Sequence, residues 1–550
     1  MTSITDDFVA HAQRHPQQVA ISAGHQTVTY GELLHRVQKV AGAIATVALQ
    51  EDISEWSRHP GVGVLLPNRL ELLEVFLGTA MAGGVVMVLN PDWALPQIQS
   101  ILERWTPDLL ISEGEQLQAI GAGDLGMKAI ALDIALDAEQ SPDVVPYAAW
   151  LSQSNLVESR AIASSDPFYI GFTSGTTGDP KGIIRTHQSW LHSFAASRVE
   201  FHSRPHDPVL VPGALVHSLS LYTAIETLVM GASLHILPHF SPKTVLHQLQ
   251  QAPITRLVAV PTVLRAIATV ASRQHITIPH LQTIIVGGSK LSPSLRHRLT
   301  ITFPRADVME YYGASELSFV SLASSREPVP PESVGRAFHG VQVSVQQDDG
   351  AGEAAVGEIG WIGIQSPMIC SGYLDPHPKT GFRIEQGWAT VGDRGWMDGQ
   401  GYLYLVGREH DMLISSGINV YPSEIEAVLL QLPQIETAVV VGLPDDCRGD
   451  LICAVIIWSR SAGLTRSDLI RHIQGQLGSA KCPRRFFAVA SVPVTSSGKV
   501  ARAQLQAQIL RSGLSNYSNS RWVVSGGAIA DRPTAHTQFT SDLGSLYELH

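Results

Sequence analysis

The sequence predicts an α/β protein: a large N-terminal domain of two related, mostly parallel halves with a small β-barrel subdomain, followed by a small, mobile α+β C-terminal domain. Two observations lead to this prediction. Strand-length apolar runs alternate with helical stretches in two separate segments, 61–112 and 206–290. This alternation gives way to short, glycine-rich strands at about residue 335 and to a mixture of helices and strands after residue 407. With 550 residues the chain is too long for one hydrophobic core, so we expect several domains.

The segment 61–112 predicts the first α/β unit. Its apolar residues switch between continuous short runs and helical spacing. The predicted order is strand, helix, strand, helix, strand, at 61–66, 69–81, 85–89, 95–105 and 108–112. Such a βαβαβ alternation indicates a mainly parallel sheet covered by helices.

The segment 206–290 repeats this pattern and predicts the second half. Strands are expected at 209–211, 233–237, 257–260 and 283–286, and helices at 219–230, 243–251 and 261–273. The two halves therefore share one architecture.

The rest of the chain divides into three regions. Dense glycines and short strands at 341–345 and 358–364 predict a small β-barrel or β-rich subdomain over about 335–406, which completes a large domain of 1–407. Residues 408–510 predict a compact α+β domain, with helices at 423–430 and 466–477 and strands at 436–442 and 452–458. The tail, 511–550, is rich in Ser, Gly, Thr and Asn, so we expect it to be poorly ordered or docked on the body.

Composition excludes several classes of function. A net charge of −11 argues against a nucleic-acid partner, and no basic stripe suits an anionic membrane. The four cysteines form no CxxC pair, which favours a reduced cytoplasm. The N-terminus carries acids where a signal peptide has bases, and the longest apolar run, 75–89, is short for a membrane span. We expect a cytoplasmic monomer or homodimer.

The segment 172–182, FTSGTTGDPKG, is the most informative part of the chain. It lies between two apolar runs and so predicts strand, loop, strand. Glycines let backbone N–H groups approach a ligand, hydroxyls add donors, and lysine adds a charge, which together suit a polyphosphate. It is not a Walker A loop, because Lys181 follows Pro180 and no Ser or Thr comes next. A mobile surface loop is the alternative. The phosphate-binding candidates are Thr173, Ser174, Gly175, Thr176, Thr177, Gly178 and Lys181.

The SGTTGDPKG segment resembles the phosphate loop of the adenylate-forming superfamily, which includes acyl-CoA synthetases, peptide-synthetase adenylation domains and luciferases. Further likeness recurs in order at 310–316, 390–393, 407–426 and 493–502, so it spans roughly residues 10 to 510. The form of the motif at 419–426, NVYPSEIE, is closest to that of acyl-CoA synthetases. The resemblance implies that a carboxylate attacks ATP to give acyl-AMP and pyrophosphate, and that a thiol then displaces AMP. The implied cofactors are ATP, Mg²⁺ and CoA, or a phosphopantetheinyl thiol.

The segment 310–316, EYYGASE, is similar to the family's YGxTE motif with Ser315 in place of Thr. The resemblance implies that Tyr312 offers a flat face to adenine, that Ser315 bonds an α-phosphate oxygen, and that Glu316 holds Mg²⁺ together with Thr173. Glu316 could instead be an acidic residue in the first turn of a helix, where the helix dipole favours negative charge. Tyr311 could be a residue of the hydrophobic core without contact to the nucleotide. The nucleotide-binding candidates here are Glu310, Tyr311, Tyr312 and Gly313.

Residues near the domain junction also match the family. Asp393, in TVGD, corresponds to the family's TGD and would hold the ribose hydroxyls, and Arg408 would reach the ribose or phosphates. A surface ion pair is the alternative for both. His410 lies at the family's hinge, where Asp or Lys is usual. The turn on the thiol side contains Ser416, where Gly is frequent, and Gly417.

The segment 493–502, PVTSSGKVAR, matches the family's PxTxxGKxxR pattern in full. The resemblance implies that Lys499 bridges the substrate carboxylate and the α-phosphate in the first step. Lys499, Glu316 and Ser315 are the catalytic candidates. Because the second step needs an open path for the thiol, we expect the small domain to rotate between steps.

Two further segments resemble those that border the acyl pocket in this family. In VPGALVHSLS, amino-acid-activating relatives carry Asp where this chain has Ser218, so an α-amine would lack its counter-charge. His217 lines the pocket or is simply packed. In VGGSK, the small residues Gly287, Gly288 and Ser289 border the acyl group and adenine, and we expect them to leave room. A non-amino carboxylic acid such as a fatty or branched acid fits best.

Alternatives remain open at this point. CoA is favoured as the acceptor, but a stand-alone adenylation enzyme that loads a phosphopantetheinyl carrier protein with an acyl or aryl acid would share every motif. A luciferase-like oxygenase needs a further oxidation that no residue identifies. A non-catalytic nucleotide-binding protein with a ligase fold is the alternative from another class. Loss of Lys499, Glu316 or Asp393 would support it, and all three are present.

Overall fold

The structure is a computed structural model. It describes residues 2–24, 26–48, 59–122, 127–132, 144–157, 162–174, 180–348, 352–375, 381–416, 418–445, 448–459, 464–495, 499–511 and 547–548.

The described elements follow in chain order. Up to residue 186 they are α1 Asp6–Arg14, β1 Val19–Ala23, β2 Gln26–Thr29, α2 Tyr30–Ala48, β3 Gly61–Leu65, α3 Leu70–Met81, β4 Val85–Leu89, α4 Leu95–Arg104, β5 Leu109–Ser112, α5 Gly114–Ile120, β6 Lys128–Ala131, β7 Val144–Pro146, α6 Tyr147–Ser152, β8 Pro167–Ser174 and β9 Pro180–Thr186. Up to residue 337 they are α7 His187–Glu200, β10 Pro208–Val211, α8 Ser218–Val229, β11 Ser233–Ile236, α9 Pro242–Gln251, β12 Arg256–Ala259, α10 Pro261–Gln274, β13 Thr283–Val286, α11 Pro293–Thr302, β14 Asp307–Ala314, β15 Ser318–Ser324 and β16 Arg336–Ala337. The remainder are β17 Gln342–Gln346, β18 Gly360–Gln365, β19 Gly372–Tyr373, β20 Arg383–Glu385, β21 Trp388–Thr390, β22 Asp393–Met397, β23 Leu403–Arg408, a 3₁₀ turn Glu409–Asp411, β24 Leu413–Ser415, β25 Ile418–Val420, α12 Pro422–Leu430, β26 Ile435–Asp445, β27 Gly449–Trp458, α13 Arg466–Leu477, β28 Arg485–Ala488, α14 Arg502–Arg511 and β29 Tyr547–Glu548.

Two large sheets share one design, which confirms the prediction of two related halves. In the first, β7, β6, β5, β3, β4 and β8 run parallel, and β9 and β19 are added antiparallel after β8. In the second, β1, β11, β10, β12, β13 and β14 run parallel, and β15 and β16 follow antiparallel. Each half therefore ends its parallel run with a hairpin, β8–β9 or β14–β15. These two hairpins carry the phosphate-loop segment and the 310–316 motif.

The N-terminal strand crosses between the halves. β1 lies parallel to β11, with Ile21 opposite Leu234, and β2 folds back on β1. The chain therefore begins in the second sheet, leaves it to build most of the first, and returns. No local sequence signal reports such a pairing, because its partners are far apart in the chain.

Helices cover both faces of each sheet. The largest core joins α1, α2, α3, α7 and α8 to both sheets, so these helices lie between them. The outer face of the first sheet packs on α4 and α5, and that of the second sheet on α9, α10 and α11. Continuous apolar runs such as Val85–Leu89, buried at all five positions, suit strands that are covered on both faces.

The β-rich region is confirmed as a six-stranded antiparallel sheet of β17, β18 and β20 to β23. Among the described strands, β20, β21, β18, β22 and β23 form one path, and β17 pairs with β18 beside it. The C-terminal α+β region is also confirmed. Its sheet, β24 to β28, packs on α12 and α13 on one face and on α14 on the other.

The tail beyond residue 511 lies outside the described residues except for β29, which pairs antiparallel with β28. Across the part of the chain that the structure describes, no helix is both long and apolar enough to cross a membrane. The cysteines Cys370, Cys453 and Cys482 are buried.

Candidate active site

A buried arginine joins the two motif-bearing hairpins. Arg185, on β9, donates from Nη1 to the carbonyl oxygen of Ser315 at 3.1 Å, and from Nη2 to Ser318 Oγ at 2.6 Å and the Met368 carbonyl at 2.7 Å. It is 3% exposed, and burial lowers its pKa. Ser318 itself has φ of +62°, an uncommon backbone conformation for serine. Arg185 therefore holds the turn that carries Ser315 and Glu316 against the phosphate-loop hairpin.

The phosphate-loop hairpin is described up to the loop itself. Thr173 on β8 lies opposite Lys181 on β9 in antiparallel register. The ammonium of Lys181 is 5.9 Å from the ring centroid of Tyr373, within the range of a cation–π contact. The side chain of Ser174, together with the predicted residues Gly175, Thr176, Thr177 and Gly178, lies outside the described residues. Phosphate binding by this loop stays a prediction.

Glu316 is held by a tyrosine. Tyr373 Oη donates a 2.6 Å hydrogen bond to Glu316 Oε1. Burial and the Glu316 carboxylate together raise the pKa of Tyr373, so the phenol stays protonated and remains a donor. Tyr373 lies on β19, which pairs with β9, and this register sets it beside Lys181. One side chain therefore contacts both the predicted metal ligand and the predicted phosphate lysine.

The predicted ribose ligand lies in a hydrogen-bonded chain of three side chains. Tyr312 Oη donates to Asp393 Oδ2, and Arg408 Nε donates to Asp393 Oδ1 at 2.9 Å. Asp393 and Arg408 lie directly opposite each other on β22 and β23. The Asp393 carboxylate raises the pKa of Arg408, and burial raises that of Tyr312. The pair is not a plain surface ion pair, because Asp393 is only 6% exposed.

Two predicted nucleotide ligands have structural contacts instead. Glu310 accepts a 2.6 Å hydrogen bond from the Leu291 backbone nitrogen and forms an ion pair with Arg296, so its carboxylate stabilises the loop before α11. Tyr311 packs on Phe319, with ring centroids 4.8 Å apart. Nucleotide contact by these two side chains stays untested.

The glycine turn does not leave the room that we expected at Gly287. A Cβ added there would lie 2.4 Å from Tyr311 Cζ, so the tyrosine ring fills that space. Gly288 is different: its φ is +94°, and an added Cβ would meet only Val260 and, at 3.9 Å, Lys499 Cε. Ser289 is exposed beside it. At Gly313, an added Cβ would lie only 2.1 Å from the carbonyl oxygen of Ser318, so this turn requires glycine.

Lys499, from the small domain, enters this cleft. Lys499 lies near Gly288, and three charged side chains of the site affect its pKa. Desolvation lowers its pKa, Arg408 lowers it further, and Glu316 and Asp393 raise it. The flanking residues 496–498 lie outside the described residues. The three strongest catalytic and nucleotide candidates, Lys499, Glu316 and Asp393, are thus brought together from distant parts of the chain.

The acyl-pocket candidates border the same cleft. Ser218 begins α8, and its Oγ lies 3.1 Å from Ser315 Oγ. His217 precedes it at the helix cap and is partly exposed. The helix therefore points its N-terminal end at Ser315.

The domain junction follows directly on Arg408. His410 lies in the 3₁₀ turn Glu409–Asp411, and its side chain is not described. Ser416 is exposed with φ of +53°, which explains why glycine suits this place, and Gly417 lies outside the described residues. Arg265 on α10 and Glu436 on β26 form a 3.0 Å ion pair between the large and small domains. Hinge and thiol roles stay predictions.

Sequence analysis missed Arg185 and Tyr373. A signal existed for the arginine, since it is the one charge in the apolar run Gly182–Arg185 that enters a buried strand. Tyr373 has no such local sequence signal, because its position depends on the pairing of β19 with β9.

Known proteins match most of this chain. The AMP-binding enzyme family matches residues 8–374, and the AMP-binding enzyme C-terminal domain matches residues 424–499. An uncharacterized acyl-CoA ligase, YhfT of Bacillus subtilis, is 33% identical over 507 residues, which are 92% of this chain and 98% of that protein. A putative long chain fatty acid-CoA ligase, VraA of Staphylococcus haemolyticus, is 35% identical over 509 residues, 92% of this chain and 98% of its own.

Solved structures share the fold. ATP-bound MatB from Rhodopseudomonas palustris superposes with a TM-score of 0.80 at 24% identity, covering 92% of this chain and 99% of that one. The anthranilate CoA ligase AuaEII, in complex with anthranoyl-AMP, gives 0.82 at 21% identity, covering 93% and 98%.

These findings confirm the predicted fold class and the prediction of an AMP-forming acyl-CoA ligase. The chain belongs to the AMP-binding enzyme family, the adenylate-forming superfamily that its motifs resemble.

Proposed function

We propose that this protein activates a non-amino carboxylic acid, such as a fatty acid, as acyl-AMP and transfers the acyl group to CoA. The observation that carries the proposal is the position of Lys499, which reaches from the small domain to Gly288 in the cleft that also contains Glu316 and Asp393. A lysine with a lowered pKa in a charged cleft is a functional-site signature.

In the first step a substrate carboxylate oxygen bonds to the α-phosphorus of ATP, the bond from that phosphorus to the bridging oxygen breaks, and pyrophosphate leaves. Two anions must meet, so the main task of the protein is to neutralise charge and align the groups. Lys499 would bridge carboxylate and α-phosphate, Ser315 would donate to an α-phosphate oxygen, and Lys181 with Thr173 would bind the leaving phosphates.

Asp393 and Arg408 suit the ribose and the phosphates beside it. Each Asp393 oxygen already accepts one hydrogen bond, and a carboxylate oxygen can accept a second. The ring of Tyr312 is fixed by its bond to Asp393, which supports a role as the adenine platform.

A Mg²⁺ ion would be held by Glu316 and Thr173, whose hard oxygen atoms suit it. Within the described residues no group of three or more His, Cys, Asp and Glu could hold a metal ion, so phosphate oxygens and water would supply the remaining ligands. Bound there, the ion would neutralise phosphate charge.

In the second step the CoA thiol loses its proton, its sulfur bonds to the acyl carbonyl carbon, and the carbon–oxygen bond to AMP breaks. CoA as the acceptor is supported by the acyl-CoA ligase names of relatives that match almost end to end. Lys499 must leave the cleft to clear a thiol path, and the junction at His410 would permit this.

A pyrophosphate-release screen tests the proposal. Purified protein, ATP and Mg²⁺ are incubated with fatty, aryl and amino acids, first with CoA and then with a phosphopantetheinylated carrier protein. We expect pyrophosphate with fatty acids and an acyl-CoA product by mass spectrometry. Acylated carrier without acyl-CoA would overturn the choice of acceptor, and no acid-dependent pyrophosphate in either arm would overturn the ligase itself.

A further inference from the structure

The side chain of Asn68 connects the two halves of the large domain. It follows β3 of the first half, and its amide bonds to backbone groups of the second half. Nδ2 donates to the carbonyl oxygens of Gly213 and Leu237, at 2.9 and 3.0 Å. Oδ1 accepts from the backbone nitrogen of Leu215 at 2.7 Å. Because the two carbonyls can only accept and the N–H can only donate, these partners fix the orientation of the amide and use both of its functions.

The three backbone partners lie at the carboxyl edge of the second sheet. Gly213 and Leu215 follow β10, and Leu237 follows β11, the parallel neighbour of β10. Ser315 follows β14, which is parallel to β10 through β12 and β13, so it lies at the same edge. In open parallel sheets, ligands bind in the crevice outside this edge. Asn68 is therefore bonded to the part of the second half that borders the cleft.

Asn68 itself belongs to the corresponding edge of the first sheet. It comes just after the carboxyl end of β3, and β8, which is parallel to β3 through β4, ends within the phosphate-loop segment. The next residue, Arg69, pairs with Glu71 at 2.8 Å and with Glu113 at 3.1 Å, and both acids belong to the first half. The amide of Asn68 thus holds the carboxyl edges of the two sheets at a fixed separation.

The loop that Asn68 binds leads directly to Ser315. It packs against the start of α8, since a Cβ added at Gly213 would lie 2.5 Å from Ser220 Oγ. Ser218 is the first residue of α8, and its Oγ lies 3.1 Å from Ser315 Oγ. A shift of the loop would therefore move the start of α8 and, through it, Ser315.

We propose that Asn68 is a positioning residue for the adenylation step. It keeps Ser315 of the second half aligned with the phosphate-loop hairpin of the first half, so that the α-phosphate and the leaving phosphates are held in line. Arg185 joins the same halves at their buried hairpins, whereas Asn68 joins them at the loops. This inference rests on the proposed function and adds a residue that lies outside every motif described above.

Two variants separate the functions of the amide. Asn68→Asp keeps the shape and the acceptor but loses both donors, and Asn68→Ala loses all three bonds. Acid-dependent exchange of pyrophosphate into ATP is measured on the full-length protein with octanoate and with palmitate. We expect kcat to fall by about tenfold or more in both variants, and the KM of ATP to change by less than about twofold, because alignment in the transition state is lost rather than binding. Thioester formation from supplied acyl-AMP needs no leaving phosphates and should stay within about threefold of wild type.

Asn155→Asp makes the same chemical change at an exposed position, and it should behave like wild type in both half-reactions. Unchanged exchange in folded Asn68→Asp and Asn68→Ala proteins would overturn the proposal. An equal fall in both half-reactions would overturn it as well, because a general loss of structure would then explain the result. No exchange in the wild type itself would refute the proposed function instead.

Hydrogen–deuterium exchange tests the contact without turnover. In Asn68→Ala the backbone amides of Leu215 and Leu221, which bond to Asn68 and within the first turn of α8, should exchange about tenfold faster than in wild type, and the amides of β4 should not change. Unchanged exchange at both leucines would show that Asn68 does not hold this loop.

A double-mutant cycle with Ser218→Ala tests the route to Ser315. Because Asn68 acts through the start of α8, its effect on kcat should shrink when Ser218 no longer contacts Ser315. Fully additive effects of the two substitutions would overturn the proposed route.

Discussion

Tyr373 donates a 2.6 Å hydrogen bond to Glu316, and its ring faces the ammonium of Lys181. The two groups predicted to act on metal and phosphates are thereby joined through one side chain that belongs to neither motif.

Tyr373→Phe should raise the Mg²⁺ concentration needed for half-maximal exchange by about 10- to 100-fold, because a hydrogen bond to a charged group contributes about 1.5–3 kcal/mol. The KM of the acid should not change. Tyr404→Phe is the matched control, since it removes a tyrosine–carboxylate bond to Asp398 outside the site. A Mg²⁺ dependence equal to that of the wild type would show that Tyr373 does not act through Glu316.

Lys499→Ala should reduce acid-dependent exchange by about 100- to 1000-fold, because a preorganised charge is lost from the first step. Thioester formation from supplied acyl-AMP should be nearly normal. Lys243→Ala, at an exposed position of α9, controls for charge loss. If both half-reactions fell together, Lys499 would have a structural role rather than a role in the first step.

The pH profile of exchange should decline on its alkaline side below the ordinary lysine pKa of 10.5, because desolvation and Arg408 lower the pKa of Lys499. The ammonium is present below its pKa and is lost as pH rises through it. Lys499→Arg should remove this limb from whatever activity it retains, since the guanidinium pKa exceeds about 12. The profile of kcat/KM for ATP measures this, and an identical limb in the arginine variant would assign it to another group.

Glu226 should make the folded state less stable as pH rises. Its pKa is about 7 in the folded protein against an ordinary 4.5, so the folded state binds the proton more tightly. The resulting stabilisation is complete below the unfolded pKa and disappears as pH rises through the folded one. Between about pH 5 and pH 8 the Tm of wild type should fall more than that of Glu226→Gln. Glu103→Gln, at an exposed position of α4, should behave like wild type. Parallel curves for wild type and Glu226→Gln would contradict the assignment.

Much of the fold could be predicted because its signals are local. The strand Val85–Leu89 agrees with prediction at both ends, and α3 begins one residue later than expected, because long apolar runs bounded by glycine and proline leave few alternatives. The motifs likewise point to Lys499, Glu316 and Asp393, which the structure brings into one cleft, and the roles of these residues stay predictions.

What could not be predicted depends on pairing between distant segments. The role of Tyr373 follows from the register of β19 with β9, and the loss of room at Gly287 follows from the ring of Tyr311 on a neighbouring strand. The same holds for β1, whose partner lies on the far side of an entire half-domain.

Because β1 pairs with β11, two neighbouring strands of the second sheet are synthesised at widely separated times. Ile21 leaves the ribosome long before Leu234, its neighbour in the finished sheet, has been added. At typical translation rates, about 210 further residues take on the order of ten to forty seconds. During this interval β1 can pair with β2 but lacks its parallel neighbour β11, and the strand edge that β11 later covers is available to chaperones or to other nascent chains. The second half-domain is therefore completed from both ends of a long stretch of chain, and slow elongation would lengthen the exposure of its first strand.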